Sequence, residues 1–162
     1  MTDFAALLRL LGDHEIKFIV IGGVAAFFHG SARSTLDLDI VYSRDRVNLQ
    51  RIIDALAPLK PYLRGAPPGL PFKWDFQTLR NGLNFTLVTT LGDLDLLGEV
   101  VGGGSYEQLV SQAEPVELFG SKCLCVNLEP LIRMKRAAGR NKDLQVVAEL
   151  TAIAEERQRK NV

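Results

Sequence analysis

Two neighbouring stretches of this sequence decide its fold: Ile19-Val20-Ile21-Gly22-Gly23 and Arg33-Ser34-Thr35-Leu36-Asp37-Leu38-Asp39-Ile40-Val41. The first is a β-branched run that ends in two glycines, which is typical of a buried strand leading into a helix. In the second, aspartates alternate with aliphatic residues, and the side chains of a strand alternate between its two faces. We therefore expect Asp37 and Asp39 to project together while their aliphatic neighbours enter the core.

Two carboxylates on one strand face repel each other. At positions i and i+2 they lie roughly 6 to 7 Å apart along a strand, which at an effective dielectric of about 20 costs on the order of 2 to 3 kcal/mol. A divalent cation between Asp37 and Asp39 would remove that cost. A solvated outer strand face is the alternative interpretation of an isolated Asp-x-Asp pair. The upstream Gly22 and Gly23, whose free N–H groups at a helix start suit a phosphate, favour the metal interpretation.

The pattern Gly22-Gly23-Val24-Ala25, His29-Gly30, Arg33, Thr35 and Asp37-x-Asp39 resembles the polymerase-beta-like nucleotidyltransferase superfamily. It is most similar to the small single-domain members, which include abortive-infection and toxin-antitoxin nucleotidyltransferases. The resemblance covers the first hundred residues well and residues 131–143 more loosely. Many members carry Gly-Ser where this chain has Gly22-Gly23, so backbone amides would replace a serine contact to phosphate.

The resemblance implies a Mg²⁺-dependent nucleotidyltransferase that moves a nucleoside monophosphate from an NTP to a hydroxyl acceptor and releases pyrophosphate. Two Mg²⁺ ions would be held by Asp37, Asp39 and a third carboxylate on a later strand, a donor set of oxygens that suits this ion. Asp93 and Asp95 share one strand face, so periodicity alone does not choose between them. The resemblance favours Asp95, as ligand and as a group that helps activate the acceptor hydroxyl, because Asp-Leu-Leu is the familiar form of the third carboxylate.

Three further side chains are candidates for contacts to the nucleotide, together with Gly22 and Gly23. Arg33 and Thr35 have the strand parity of the aspartates, and Arg33 could hold phosphate oxygens or form a structural ion pair with Asp37 or a nearby carboxylate. Lys135 falls where the helical periodicity of the preceding residues expects an aliphatic side chain, and a buried ammonium needs an anion. A phosphate could be that anion, and so could Asp143. His29 is expected to close a helix rather than act as a base.

Apolar periodicity and turn residues predict interleaved helices and strands. The fold class is therefore α/β or α+β, with a mixed sheet flanked by helices and a helical C-terminus. We expect helices from residue 2 or 3 to 11, over 24–28, 45–59, 106–112, 129–138 and 142–159. We expect strands over 17–21, 33–41, 84–90, 93–97, 116–119 and 123–126. The proline-rich residues 65–71 are expected to be a surface loop.

Length and composition limit the function. At 162 residues the chain, 1–162, is expected to be one nucleotidyltransferase-like domain. Lys+Arg 19 balance Asp+Glu 19, so a nucleic acid would need a local basic patch. No apolar run is long enough to span a bilayer, and we expect a reduced, cytoplasmic protein.

The acceptor stays open among tRNA, protein and small molecules, as does the base of the NTP. The alternative function is a weakly active or inactive nucleotidyltransferase-fold protein that binds a toxin-antitoxin partner or acts as a regulator. A dinucleotide-binding oxidoreductase is excluded because the G-x-G-x-x-G pattern is absent. The retained glycines and aspartates favour the enzyme over the binding protein.

Overall fold

A mixed seven-stranded sheet forms the centre of the protein, as seen in a computed structural model that describes residues 1–161. Its strands are arranged in the order β3-β4-β5-β2-β1-β9-β8, and a separate two-stranded sheet pairs β6 with β7. The strands are β1 Phe18–Ile21, β2 Asp37–Tyr42, β3 Tyr62–Leu63, β4 Asn84–Thr89, β5 Gly92–Leu97, β6 Glu99–Val100, β7 Gly104–Ser105, β8 Ala113–Leu118 and β9 Ser121–Val126. The helices are α1 Phe4–Asp13, α2 Gly22–Phe28, α3 Arg46–Leu56, α4 Phe76–Asn81, α5 Tyr106–Leu109, α6 Leu128–Ala138 and α7 Asn141–Lys160.

Two of the strand pairs in the large sheet are parallel, β2 with β5 and β1 with β9, and the others are antiparallel. The mixed sheet and the C-terminal helices confirm the predicted fold class. The alternation of β2 is also as expected, because Leu38 and Ile40 are fully buried while Asp37 and Asp39 are only half-buried. The aspartates therefore lie on the face of the sheet opposite to these core residues.

Helix starts follow the local capping chemistry of the chain. The carboxylates of Asp3, Asp45 and Asp75 accept hydrogen bonds from the backbone N–H groups of Ala6, Asn48 and Thr78, which begins α1, α3 and α4. The helices form two groups: α1 contacts α3, which contacts α4, while α6 contacts both α2 and α7. In the second group, α2 contacts β2, the strand that carries Asp37 and Asp39.

The structure differs from the predicted elements in three ways. The strand expected over 33–41 begins only at Asp37 and runs to Tyr42, so Arg33 and Thr35 lie in the loop before it. The helix expected over 106–112 ends at Leu109 and continues as a short 3₁₀ helix, whereas α2 begins at Gly22, within the glycine pair where its start was predicted. Four short elements, β3, α4, β6 and β7, were not predicted, because two to six residues carry too little periodicity.

No helix within residues 1–161 combines the length and the apolar character needed to cross a membrane.

Candidate metal centre and nucleotide site

Four aspartates form a compact array on two neighbouring parallel strands. The register of β2 and β5 places Asp37 beside Asp93 and Asp39 beside Asp95, so all four side chains share one face of the sheet. Carboxylate oxygens of Asp37, Asp39 and Asp95 lie within 4.8 Å of one another. These three residues are called the carboxylate trio below. The structure thus brings together the three aspartates that were expected to hold metal ions, and their role as ligands stays a prediction.

Asp39 is the least satisfied member of the carboxylate trio. Its Oδ1 atom is buried and has no hydrogen-bond partner among residues 1–161. Burial, together with the negative charges of Asp37 and Asp95, raises the pKa of Asp39 to about 8. A buried acceptor without a donor, in a cluster of carboxylate oxygens, fits a hard divalent cation. The donor set therefore suits the Mg²⁺ that the sequence pattern predicts.

Arg64 is a residue of the site that sequence reasoning missed. Its guanidinium donates a hydrogen bond to Asp95, lies 3.6 Å from Asp37 Oδ2 and approaches Asp93 Oδ2 to 3.5 Å through Nε. Burial raises the pKa of Asp95, although the hydrogen bond from Arg64 opposes this shift. Nothing local marks Arg64, because it reaches the aspartates only through the pairing of β3 with β4 at the edge of the sheet.

Gly22 and Gly23 let helix α2 approach the carboxylate trio closely. Gly22 has a φ of +65°, and a Cβ added there would overlap the carboxylate of Asp39. A Cβ on Gly23 would lie 2.6 Å from the Thr35 side chain. The glycine pair is therefore required by the packing of α2 on β2 and on the preceding loop, apart from any phosphate contact.

One cavity of about 490 Å³ joins most of the residues predicted from the sequence. Beside the carboxylate trio it is lined by Gly23, Arg33, Thr35 and Lys135. Gly22 lies outside it and lines a smaller cavity of about 120 Å³, of which Asp39 and Lys135 also form part. The fold thus gathers seven of the eight predicted residues around a single space.

The loop residues of this cavity are held in different ways. Arg33 lies with its Nε 3.8 Å from Glu149 Oε1 of α7, and its side chain is about half exposed. Thr35 donates through Oγ1 to Asp37 at 3.3 Å, so it contacts the carboxylate trio directly. Sequence reasoning named a nearby carboxylate as one partner of Arg33, and Glu149 is that carboxylate.

Lys135 lines the cavity of the carboxylate trio and also approaches a second carboxylate, that of Asp143. Its Nζ is 3.9 Å from Asp143 Oδ1, and 19% of its side chain is exposed. Asp143 is buried and accepts a 2.6 Å hydrogen bond from Arg140 Nε. Burial alone would raise the pKa of Asp143, but the hydrogen bond and charge of Arg140 outweigh it and lower that pKa. Asp143 therefore already has a close cationic partner other than Lys135.

His29 closes helix α2, as its position before Gly30 predicts. Its ring Nε2 lies 2.7 Å from the carbonyl oxygen of Val126, and Nδ1 accepts from Arg157 at 3.2 Å. This pattern requires the neutral tautomer with the proton on Nε2. Burial lowers the pKa of His29, and the charge of Arg157 lowers it further. His29 holds α2, β9 and α7 together and does not line the cavity of the carboxylate trio.

The fold is similar to that of a solved adenylyltransferase. The crystal structure of the lincosamide antibiotic adenylyltransferase LnuA with lincomycin bound superposes with a TM-score of 0.59. The two sequences are 16% identical, and the match covers 91% of this chain and 94% of that chain. At this identity the likeness shows a nucleotidyltransferase-like fold and nothing finer. No protein-family model and no curated protein sequence matches the chain.

Proposed function

We propose that this protein is a divalent-metal-dependent nucleotidyltransferase, which transfers a nucleoside monophosphate from an NTP to a hydroxyl acceptor and releases pyrophosphate. The observation that carries the proposal is the carboxylate trio, whose oxygens lie within 4.8 Å of one another at the wall of a large cavity. The likeness of the fold to an adenylyltransferase supports it. The unpartnered Oδ1 of Asp39 adds a local reason to expect a cation.

Each member of the carboxylate trio has a role in this proposal. Asp37, Asp39 and Asp95 hold the metal, with Mg²⁺ and two ions expected from the sequence resemblance. Bound Mg²⁺ supplies positive charge that stabilises the attacking and leaving oxygens of an in-line displacement. Asp95 also accepts the proton of the acceptor hydroxyl, so that the oxygen can attack the α-phosphorus while pyrophosphate leaves.

The remaining cavity residues bind the triphosphate in this proposal. Lys135 and Arg33 offer positive charge at the cavity wall, and Thr35 offers a hydroxyl. The backbone amide of Gly23 in the cavity wall, and that of Gly22 in the smaller cavity that shares Asp39 and Lys135, are proposed to face phosphate oxygens at the start of α2. Arg33 would exchange its 3.8 Å contact with Glu149 for a phosphate, which is feasible because about half of its side chain is exposed.

Label transfer tests the proposal directly. The protein is incubated with each of the four α-labelled NTPs and Mg²⁺, and with separate pools of tRNA, protein and small molecules. Lincomycin belongs in the small-molecule pool because the similar structure was solved with it bound. We expect label in one pool with wild-type protein and none with Asp39→Asn. Absence of transfer from all four NTPs, with a folded protein, would count against the enzyme.

A second candidate is a protein of the same fold with weak or lost activity, which acts as a toxin-antitoxin partner or a regulator. The pairing of Arg64 with Asp37 and Asp95 favours it, because the guanidinium already neutralises part of the charge that a metal would meet. The same experiment separates the two candidates. NTP binding without label transfer would favour the binding protein.

A further inference from the structure

The carboxylate trio already has a cation supplied by the chain itself. The guanidinium of Arg64 contacts Asp37 and Asp95, two of the three members, and also the neighbouring Asp93. Asp39 is the aspartate of the array that has no ion pair with Arg64 in the described part of the chain. Arg64 therefore already pairs with two of the three carboxylates that are proposed to hold the metal.

Edge strand β3 and its partner β4 hold Arg64 in this position. The backbone N–H of Arg64 donates to the carbonyl oxygen of Thr86 at 2.9 Å, and its Nη2 donates to that of Leu87 at 2.9 Å. Directly after it, Gly65 has a φ of +80° and turns the chain away from the sheet. The guanidinium thus crosses β4 to reach the aspartates on β5 and β2.

Within the described residues, two buried polar atoms lack a hydrogen bond at this site: one is on Asp39, with which Arg64 forms no ion pair, and the other is Arg64 Nε, which lies 3.5 Å from Asp93 Oδ2. Asp39 Oδ1 and Arg64 Nε have no hydrogen-bond partner among residues 1–161. A stable structural ion pair normally satisfies its buried donors and acceptors, because an unmet one is costly. The incomplete satisfaction leaves room for another cation to improve the pairing of these carboxylates.

We propose that Arg64 is a resident counter-ion that competes with the divalent metal for Asp37 and Asp95. The inference rests on the proposed metal role of the carboxylate trio. A metal ion and the guanidinium cannot both occupy the space between these carboxylates, because two cations there would repel and share the same oxygens. Metal binding therefore moves Arg64 away from Asp37 and Asp95. Asp93, which lies outside the trio, remains as a partner for the displaced guanidinium.

This competition makes Arg64 a determinant of metal affinity. Without it, the array in the metal-free protein would carry more uncompensated negative charge, so the fold would be less stable and a cation would bind more tightly. When Arg64 is present, the metal-free protein is stable, and a higher metal concentration is needed to fill the site. Arg64 thus lowers the affinity for the metal and stabilises the metal-free protein.

A Mn²⁺ titration of the wild type and of Arg64→Met, followed by calorimetry and by the loss of the free-ion electron paramagnetic resonance signal, tests the inference. We expect Arg64→Met to bind Mn²⁺ at least tenfold more tightly and to melt at a lower temperature without metal. The matched control is Arg51→Met, which removes an arginine that pairs with Glu15, 3.9 Å away, at a distance from the site. Its Mn²⁺ affinity should equal that of the wild type.

Equal or weaker Mn²⁺ binding by Arg64→Met would overturn the inference and leave the carboxylate trio available as a metal site. If Arg64→Met does not fold, Arg64→Gln removes the charge while keeping an amide donor for Leu87, and the same criterion applies. No Mn²⁺ binding by any of these proteins would overturn both the inference and the metal role. Label transfer by the wild type is measured separately, so failure of the transferase proposal is recognised independently of the Mn²⁺ result.

Discussion

Asp39 and Asp143 line the same cavity as Lys135, but their environments differ sharply. Asp143 is buried, but Arg140 and Lys135 lie beside it and its pKa is lowered. Asp39 has a buried oxygen without a partner, two aspartates as neighbours and a raised pKa. Asp143 therefore has two cationic partners within 4 Å, whereas Asp39 forms no ion pair within residues 1–161.

This contrast separates a structural carboxylate from a candidate functional one. A buried charge that serves the fold is paired, because desolvation is otherwise too costly. A buried charge that is left unpaired costs stability, and such groups are concentrated at functional sites. The difference between Asp39 and Asp143 is thus a better guide to the site than the acidic character that they share.

The largest expected effect concerns Asp95 and Asp93, which occupy adjacent outward positions on β5. We expect Asp95→Asn to lower nucleotidyl transfer at least hundredfold, about 2.7 kcal/mol of transition-state stabilisation, because it removes a member of the carboxylate trio. Asp93→Asn should lower it less than tenfold, since Asp93 lies outside the trio. Both substitutions preserve size, so initial rates at saturating NTP and Mg²⁺ isolate the charge. Equal losses, or the reverse order, would show that the trio is wrongly assigned.

The next effect is on stability and compares Asp143 with Asp39 directly. Asp143→Asn should lower the free energy of unfolding by roughly 1.5 to 3 kcal/mol, because it weakens charged hydrogen bonds and leaves Lys135 without this carboxylate. Asp39→Asn should leave it unchanged or raise it, since it relieves repulsion within the trio. Urea denaturation without metal measures both. A comparable loss of unfolding free energy in the two variants would mean that Asp39 and Asp143 do not differ in their structural role.

Lys135 lines the cavity together with both carboxylates, and Lys135→Met keeps the length of its side chain while removing the charge. We expect NTP affinity to fall roughly ten- to hundredfold, equivalent to about 1.4 to 2.7 kcal/mol. Stability should change little, because Arg140 still pairs with Asp143. Calorimetric NTP binding and urea denaturation are measured on the same variant. Normal affinity together with a large stability loss would assign Lys135 to Asp143 alone.

The smallest effect extends the comparison to His29, a buried ionisable group that is fully hydrogen-bonded in its neutral form. Because its folded pKa is lowered, the unfolded chain binds a proton first as the pH falls below about 6.5. The stability contribution is therefore complete above that pH and declines below it, by at most about 1.4 kcal/mol per pH unit. The loss of stability between about pH 7.5 and 5.5 should be smaller in His29→Gln than in the wild type.

The control for this measurement is His14→Gln, which removes the only other histidine of the chain. Its ring contacts a backbone carbonyl at the exposed end of α1. The pH dependence of this variant should follow that of the wild type. An unchanged pH dependence in His29→Gln would mean that the His29 ring is not held neutral in the folded protein.

Local patterns were sufficient for much of the fold. The alternation of polar and apolar residues in β2 and the β-branched run before Gly22 predicted two central strands. Such patterns suffice because successive side chains of a strand point to opposite faces. Short elements were harder to predict from the sequence. Strand β3 has two residues, and neither periodicity nor composition distinguishes it from a loop. The start of β2 was also misplaced, since the pairing with β1 and β5, rather than the sequence of residues 33–36, decides where the strand begins.

What the sequence by itself determined about this protein is the chemistry it carries: two aspartates on one strand face, a glycine pair before them and a choice of two later aspartates. The tertiary structure decided how that chemistry is assembled. The register of β2 against β5 joins Asp95 to Asp37 and Asp39, and the edge pairing of β3 brings Arg64 to the same place. Both depend on hydrogen bonds between strands far apart in the chain, which no local pattern encodes.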